Sequence, residues 1–159
     1  MRLALRLAAA WAALAVALGG TGTGAQVQAN YLARMDGPQT VPFSSSTATG
    51  RATFSLDSDS RLAYSFELFN LEGSPALINI HGPAGPGDTG AERFVLIAAP
   101  AASDTLGPLF DNELAWLNAG LLYMEAHTRA YPNGEVRGQI YNTLAVEGRT
   151  WSAVKRLYN

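Results

Sequence analysis

Residues 47–68 read TATGRATFSLDSDSRLAYSFEL, and their side chains alternate between apolar and polar with a period of two. The small or apolar positions are Ala48, Gly50, Ala52, Phe54, Leu56, Leu62, Tyr64, Phe66 and Leu68. The polar tetrapeptide at 57–60 divides them into two runs, as the turn of a hairpin does. The stretch therefore predicts two antiparallel strands with one apolar face and one wet face.

Five more runs of this kind occur along the chain. Alternation is clear over 27–35, and shorter apolar runs lie at 76–81, 93–99, 121–128 and 135–144. The last two runs flank Pro132, Asn133 and Gly134, which are turn formers and predict a second hairpin.

A single helix is predicted over 112–119. Asp111 can accept from the free amides of its first turn, and Gly120 can adopt the left-handed conformation that ends a helix. Seven short strands and one helix predict an all-β fold, either an antiparallel Greek-key β-sandwich or a barrel.

Composition excludes several classes of function. The 159 residues are 48% hydrophobic and 15% charged, as expected for one folded domain. The chain has no cysteine, which rules out a disulfide framework, a thiolate metal site and a cysteine nucleophile. The formal net charge is -2 and there is only one lysine, so we expect no nucleic-acid partner.

The first 25 residues have the features of a secretory signal. Arg2 and Arg6 precede an apolar run at 7–18, which is too short to span a membrane as a helix. Cleavage after Ala25 would leave a domain at 26–145 and a C-terminal extension at 146–159. We expect a periplasmic or secreted protein without a stable membrane anchor; an uncleaved anchor is the alternative.

The second hairpin is predicted to gather polar side chains on one face. If its apolar residues share the other face, Glu125 lies opposite Arg137, His127 opposite Glu135, and Tyr123 opposite Gln139. We call these six residues the polar cluster, and they form the candidate ligand site. The alternative is a solvated face, in which an exposed Glu-Arg pair contributes about 0–1 kcal/mol and binds nothing.

The chain has two histidines, His81 and His127. With a carboxylate from Glu125 or Glu135, they could form an open mononuclear site for copper or zinc. The alternative is a structural role, in which each imidazole bonds to a backbone turn. We find no motif for a serine nucleophile and no phosphate-binding loop.

Five segments resemble the CHRD domain, a module named after chordin and widespread in exported bacterial proteins. They are LARMDGPQTVPF (32–43), ATGRATFSLD (48–57), LAYSFEL (62–68), INIHGPAG (78–85) and YMEAHTRAYPNGEVRGQI (123–140). The last is the most specific. The family often has a histidine two residues before that of the HGPA segment, where this chain has Asn79.

The resemblance implies an extracytoplasmic β-rich module without an assigned reaction. The HGPAG segment is also similar to copper-zinc superoxide dismutases, but their dinuclear site needs about six histidines and this chain has two. We therefore expect a non-catalytic binding or structural module for an undefined protein or small-molecule ligand, with no established cofactor. The alternatives are the mononuclear copper or zinc site and an enzyme that uses the same polar face.

Overall fold

A computed structural model describes residues 26–143, and the predicted signal segment and C-terminal extension lie outside this range. Nine strands, one α-helix and one 3-10 turn are present in the described chain. The strands are β1 (Val27–Asp36), β2 (Thr49–Asp57), β3 (Leu62–Phe69), β4 (Pro75–His81), β5 (Glu92–Val95), β6 (Ala101–Leu106), β7 (Tyr123–Thr128), β8 (Val136–Gln139) and β9 (Tyr141–Asn142). The 3-10 turn is Gly37–Gln39, and the helix α1 is Asp111–Asn118.

All strand pairs are antiparallel and form one sheet in the order β5-β4-β7-β8-β1-β2-β3-β6, with β9 beside β1. The two edge strands are consecutive in the chain. The segment between them is hydrogen-bonded to β4 on one side and to β3 on the other. The Leu96 N–H donates to Ile78 O of β4 (2.8 Å), and the Leu68 N–H of β3 donates to Pro100 O (2.7 Å). The sheet is thus a nearly closed barrel, and the predicted all-β class with one helix is confirmed.

The interior of the barrel is filled by the alternating apolar residues. Tyr31, Ala33 and Met35 of β1 are buried, as are the corresponding residues of the first hairpin. That hairpin pairs Leu56 with Leu62 and continues in register to Thr49 and Phe69. Burying one face of both strands is what fixes this register, because a slip of one residue would expose the apolar set.

The structure differs from the predicted strands in three places. The strand β6 was missed because its sequence, AASDTL, has no apolar alternation; it is an exposed edge strand held by pairing to β3. The run at 135–144 is divided between β8 and β9, with Ile140 between them. The run at 93–99 forms only the four-residue β5.

The helix begins one residue earlier than predicted. Phe110, and not Asp111, is the N-cap, and the Glu113 carboxylate accepts from the Phe110 N–H at 2.9 Å. Gly120 ends the helix with φ of +69°, as expected. Leu117 is the buried anchor of the helix. Within residues 26–143, no helix is long and apolar enough to cross a membrane.

Candidate functional site

The predicted register of the second hairpin is confirmed for two of its three polar pairs. Tyr123 pairs with Gln139 and Glu125 pairs with Arg137 across β7 and β8. On its other side β7 pairs with β4, which sets His81 beside Tyr123 and Asn79 beside Glu125. Because cross-strand partners point to the same side of a sheet, β4 adds an imidazole and an amide to the face carrying Glu125 and Arg137.

This face is buried, so the solvated-face alternative is wrong. Arg137 is only 1% exposed and Glu125 6% exposed. The covering segment, residues 82–91, follows directly after β4 and is held by its backbone. Its carbonyl oxygens accept from Arg137 Nη2 at Gly85 (3.1 Å) and from Gln139 Nε2 at Ala84 (2.7 Å).

Two imidazoles and one carboxylate meet on this face. His127 Nε2 lies 3.7 Å from Glu125 Oε2, and His81 Nε2 lies 4.0 Å from the same oxygen. One ligand atom from each of the three residues lies within 4.8 Å of the other two. The sequence prediction that the two histidines lie near one another is confirmed, and Glu125 is the carboxylate they share.

Both histidines have their ring nitrogens oriented in the same way. Nδ1 of His81 is 3.1 Å from Gly90 O, and Nδ1 of His127 is 3.2 Å from Pro132 O. A carbonyl only accepts, so each neutral imidazole carries its proton on Nδ1 and leaves a lone pair on Nε2. Both Nε2 atoms are buried and have no hydrogen-bond partner in the described protein. Each histidine therefore uses one nitrogen structurally and offers the other to the site.

Burial determines the charge states in the cluster. Desolvation lowers the pKa of His81 and of His127 below the ordinary value of 6.5, so both imidazoles are neutral at pH 7. Desolvation also raises the pKa of Glu125 from 4.5 to about 7, and Arg137 opposes this only in part. The contacts between Glu125 and the imidazoles are thus not ion pairs at neutral pH.

Glu135, the other carboxylate considered as a metal ligand, does not belong to the group that His81, Glu125 and His127 form among the described residues. Its fully buried carboxylate accepts from Ser46 Oγ (2.9 Å), Thr128 Oγ1 (2.6 Å) and the Glu72 N–H (2.8 Å). The regular pairing of β7 with β8 ends at Ala126 and Val136, so His127 and Glu135 are not among its pairs. The Glu135 side chain instead fastens three segments together, and its oxygens are already engaged.

Arg137 does not form the expected ion pair with Glu125, although the two are cross-strand partners. Its guanidinium carbon lies 3.6 Å from the centroid of the Tyr123 ring, and that ring is also stacked against His81 with centroids 5.1 Å apart. Nη2 bonds to Gly85 O and, at 3.4 Å, to Gln139 Oε1. Nη1 is buried without a hydrogen-bond partner in the described residues.

Asn79 and Glu92 also belong to the site, and the sequence analysis did not assign either to the polar cluster. Asn79 Nδ2 donates to Glu92 Oε2 at 2.8 Å, which leaves the buried Oδ1 without a partner in the described chain. The signal available in the sequence was the position of Asn79, two residues before His81 on the same face. The sequence contains no such signal for Glu92, because the position of its side chain depends on how β5 pairs with β4.

Gly134 has no side chain, and the Glu125 carboxylate occupies the space where one would lie. It has φ of +113°, and a Cβ built there would lie 2.6 Å from Glu125 Oε1. Both the backbone conformation and the close approach require glycine at this position. The turn of the second hairpin is thus part of the site's packing.

The comparisons with known proteins agree with the resemblance. The family model described as the CHRD domain matches residues 31–140, which include every strand of the site. The comparisons with curated proteins and with solved structures gave no match.

Proposed function

The chain belongs to the CHRD domain family, which suggests a binding or structural module, and on this premise we propose that it binds one divalent transition-metal ion, copper or zinc. The proposed ligands are His81 Nε2, His127 Nε2 and a carboxylate oxygen of Glu125. Two imidazoles and one carboxylate are a donor set that both ions accept, and they leave a coordination position open.

One observation carries the proposal: two buried imidazole nitrogens with lone pairs and no partner both face a single buried carboxylate. Buried polar atoms in folded proteins are almost always hydrogen-bonded, so two unpartnered acceptors beside a third oxygen need an explanation. A purely structural role accounts for the Nδ1 bonds of both histidines but leaves their Nε2 atoms unexplained.

The ligand atoms lie farther apart than they would around a bound ion, so the three side chains would have to move closer together. Ligand atoms at about 2.1 Å from a tetrahedral zinc ion are about 3.4 Å apart. The two measured separations from Glu125, 3.7 and 4.0 Å, exceed this by a few tenths of an ångström. The Nδ1 bonds to backbone carbonyls match the outer-shell contacts that orient metal-binding histidines.

Calorimetry on purified protein without a histidine tag tests the proposal. We expect metal-stripped protein to bind one equivalent of copper or zinc, with a Kd of about 1 µM or lower. Changing His127 to Gln or Glu125 to Gln should weaken binding at least about 100-fold, because each change removes one of three protein ligands.

Glu67→Gln is the matched control, since Glu67 is an exposed carboxylate on another hairpin and its loss should leave the Kd unchanged. Circular dichroism of each variant would show that it is folded. Absence of metal uptake by the wild-type protein, or equal affinities of the wild-type protein and the folded His127→Gln variant, would refute the proposal.

We further propose that the domain functions outside the cytoplasm, in the periplasm or in the secreted fraction. The charged start, the apolar run at 7–18 and the small residues before Gln26 support this, and β1 begins at Val27. Mass spectrometry of the exported protein should give an N-terminus at Gln26. An intact N-terminus on a cell-associated protein would contradict it.

A further inference from the structure

Arg137 is a buried cation without a contacting counter-ion. Its side chain is 99% buried, and no ion pair joins it to a carboxylate of residues 26–143. Its hydrogen-bond acceptors are a backbone carbonyl and a neutral amide, and its Nη1 has no acceptor in the described protein. Burying a guanidinium is costly unless an anion or further acceptors compensate it, so this arrangement requires an explanation.

The surrounding charges do not supply that compensation once a metal is bound. A divalent ion with ionised Glu125, neutral imidazoles and Arg137 leaves two net positive charges in a buried space. Glu92, whose carboxylate bonds to Asn79 and interacts electrostatically with both imidazoles, reduces the excess to one. A single additional negative charge would balance the site.

We infer that the metal site takes a small monoanion, such as a carboxylate or an anion of similar size, as an exogenous ligand held by Arg137. The anion occupies the open coordination position and accepts a hydrogen bond from Nη1. Arg137 is suited to this because it is the cross-strand partner of Glu125, and its guanidinium packs on the Tyr123 ring that is also stacked against His81. This inference rests on the proposed metal-binding function.

Azide binding to the copper-loaded protein provides the test, because azide coordination to copper produces a charge-transfer absorption that can be titrated. We expect saturable azide binding to the copper-loaded wild-type protein, with formate as a competitor. Arg137→Lys keeps the charge but removes the planar donor fork, and should weaken azide binding at least about tenfold without reducing copper affinity comparably. Arg51→Lys, a change in an exposed arginine on another hairpin, should have no effect.

Glu92→Gln gives an independent test that does not disturb the buried arginine. Glu92 is exposed, and glutamine can still accept from Asn79 Nδ2. Removing this negative charge should tighten azide binding about threefold, a modest effect because solvent screens exposed charges. If Arg137→Lys does not fold, this opposite change in affinity decides the question.

The possible results separate the two proposals. Protein that takes up no metal overturns both. Copper binding without azide binding, or azide binding that neither Arg137→Lys nor Glu92→Gln changes, overturns the anion site and leaves the metal site standing. Weaker azide binding in Arg137→Lys, or tighter binding in Glu92→Gln, supports the anion site.

Discussion

Two hairpins of this protein carry the same pair of charged residues in different surroundings. In the first, Arg51 of β2 faces Glu67 of β3; in the second, Glu125 of β7 faces Arg137 of β8. The first pair is an ion pair with side chains 67% and 46% exposed. The second is buried, and its members are not in ionic contact.

The difference arises from what lies over each hairpin, and not from the pairing itself. The first pair is open to solvent, where an ion pair is a weak contact that needs no further partner. The segment at 82–91 covers the second pair, and its carbonyl oxygens bind the groups beneath it. Desolvation then separates the roles of the two charges: Glu125 turns to the imidazoles, and Arg137 to Tyr123 and the backbone.

The largest difference is expected when each arginine is removed. Arg137→Ala should lower the free energy of unfolding by about 2–3 kcal/mol, because the lost hydrogen bonds and the lost stacking on Tyr123 outweigh the desolvation cost that removing the charge relieves. Arg51→Ala should cost about 1 kcal/mol or less. Urea unfolding of the two variants would check this, and equal losses would show that the burial difference has no energetic consequence.

A pH-dependent difference is expected when each carboxylate is neutralised. Folded Glu125 has its pKa raised from 4.5 to about 7, so its contribution to stability is fully present below pH 4.5 and is lost as the pH rises through 7. Between pH 4 and pH 8, the free energy of unfolding of the metal-free wild-type protein should therefore fall by about 3 kcal/mol relative to that of the Glu125→Gln variant.

Urea unfolding of both proteins at the two pH values measures that change. Glu67→Gln serves as the exposed counterpart, and its difference from the wild-type protein should vary by less than about 1 kcal/mol over the same range. If the difference in unfolding free energy between the wild-type protein and Glu125→Gln does not change with pH, the raised pKa of Glu125 is wrong.

The smallest effect concerns a glycine beside Glu125. Gly134→Ala should destabilise the protein by about 1–2 kcal/mol through backbone strain and should weaken metal binding by displacing the Glu125 carboxylate, about tenfold. Gly73 is the matched control, since it has φ of +111° but a Cβ there would contact nothing within 4 Å. Gly73→Ala should cause similar strain without changing metal affinity, and equal affinities of both variants would argue against the role of Gly134.

Much of the fold could be predicted because burial imposes a period of two on the chain. The register of the second hairpin could be narrowed in the same way, because its apolar residues on both strands must lie on the same face of the sheet. The exposed strand β6 could not be predicted, because its position depends on pairing with β3 and its side chains carry no pattern.

The candidate site was predictable in its members and less so in its contacts. The alternation of side chains along the second hairpin placed Glu125 opposite Arg137. The position of His81 at the end of a strand suggested that its side chain lies near these two residues. The same alternation predicted that Glu135 lies opposite His127. The regular pairing of the two strands ends at Val136, however, and the Glu135 carboxylate accepts a hydrogen bond from Thr128. The burial of the face depends on residues 82–91 folding over it, which no local pattern indicates.

The cover over the site is attached through main-chain oxygens, at Gly82, Ala84, Gly85 and Gly90. The side chains of Pro86, Asp88 and Thr89 are exposed and make none of these attachments. Their identity can therefore be changed by engineering or by evolution while the groups underneath stay in place. This tip offers a position at which access and selectivity can be adjusted independently of the chemistry below.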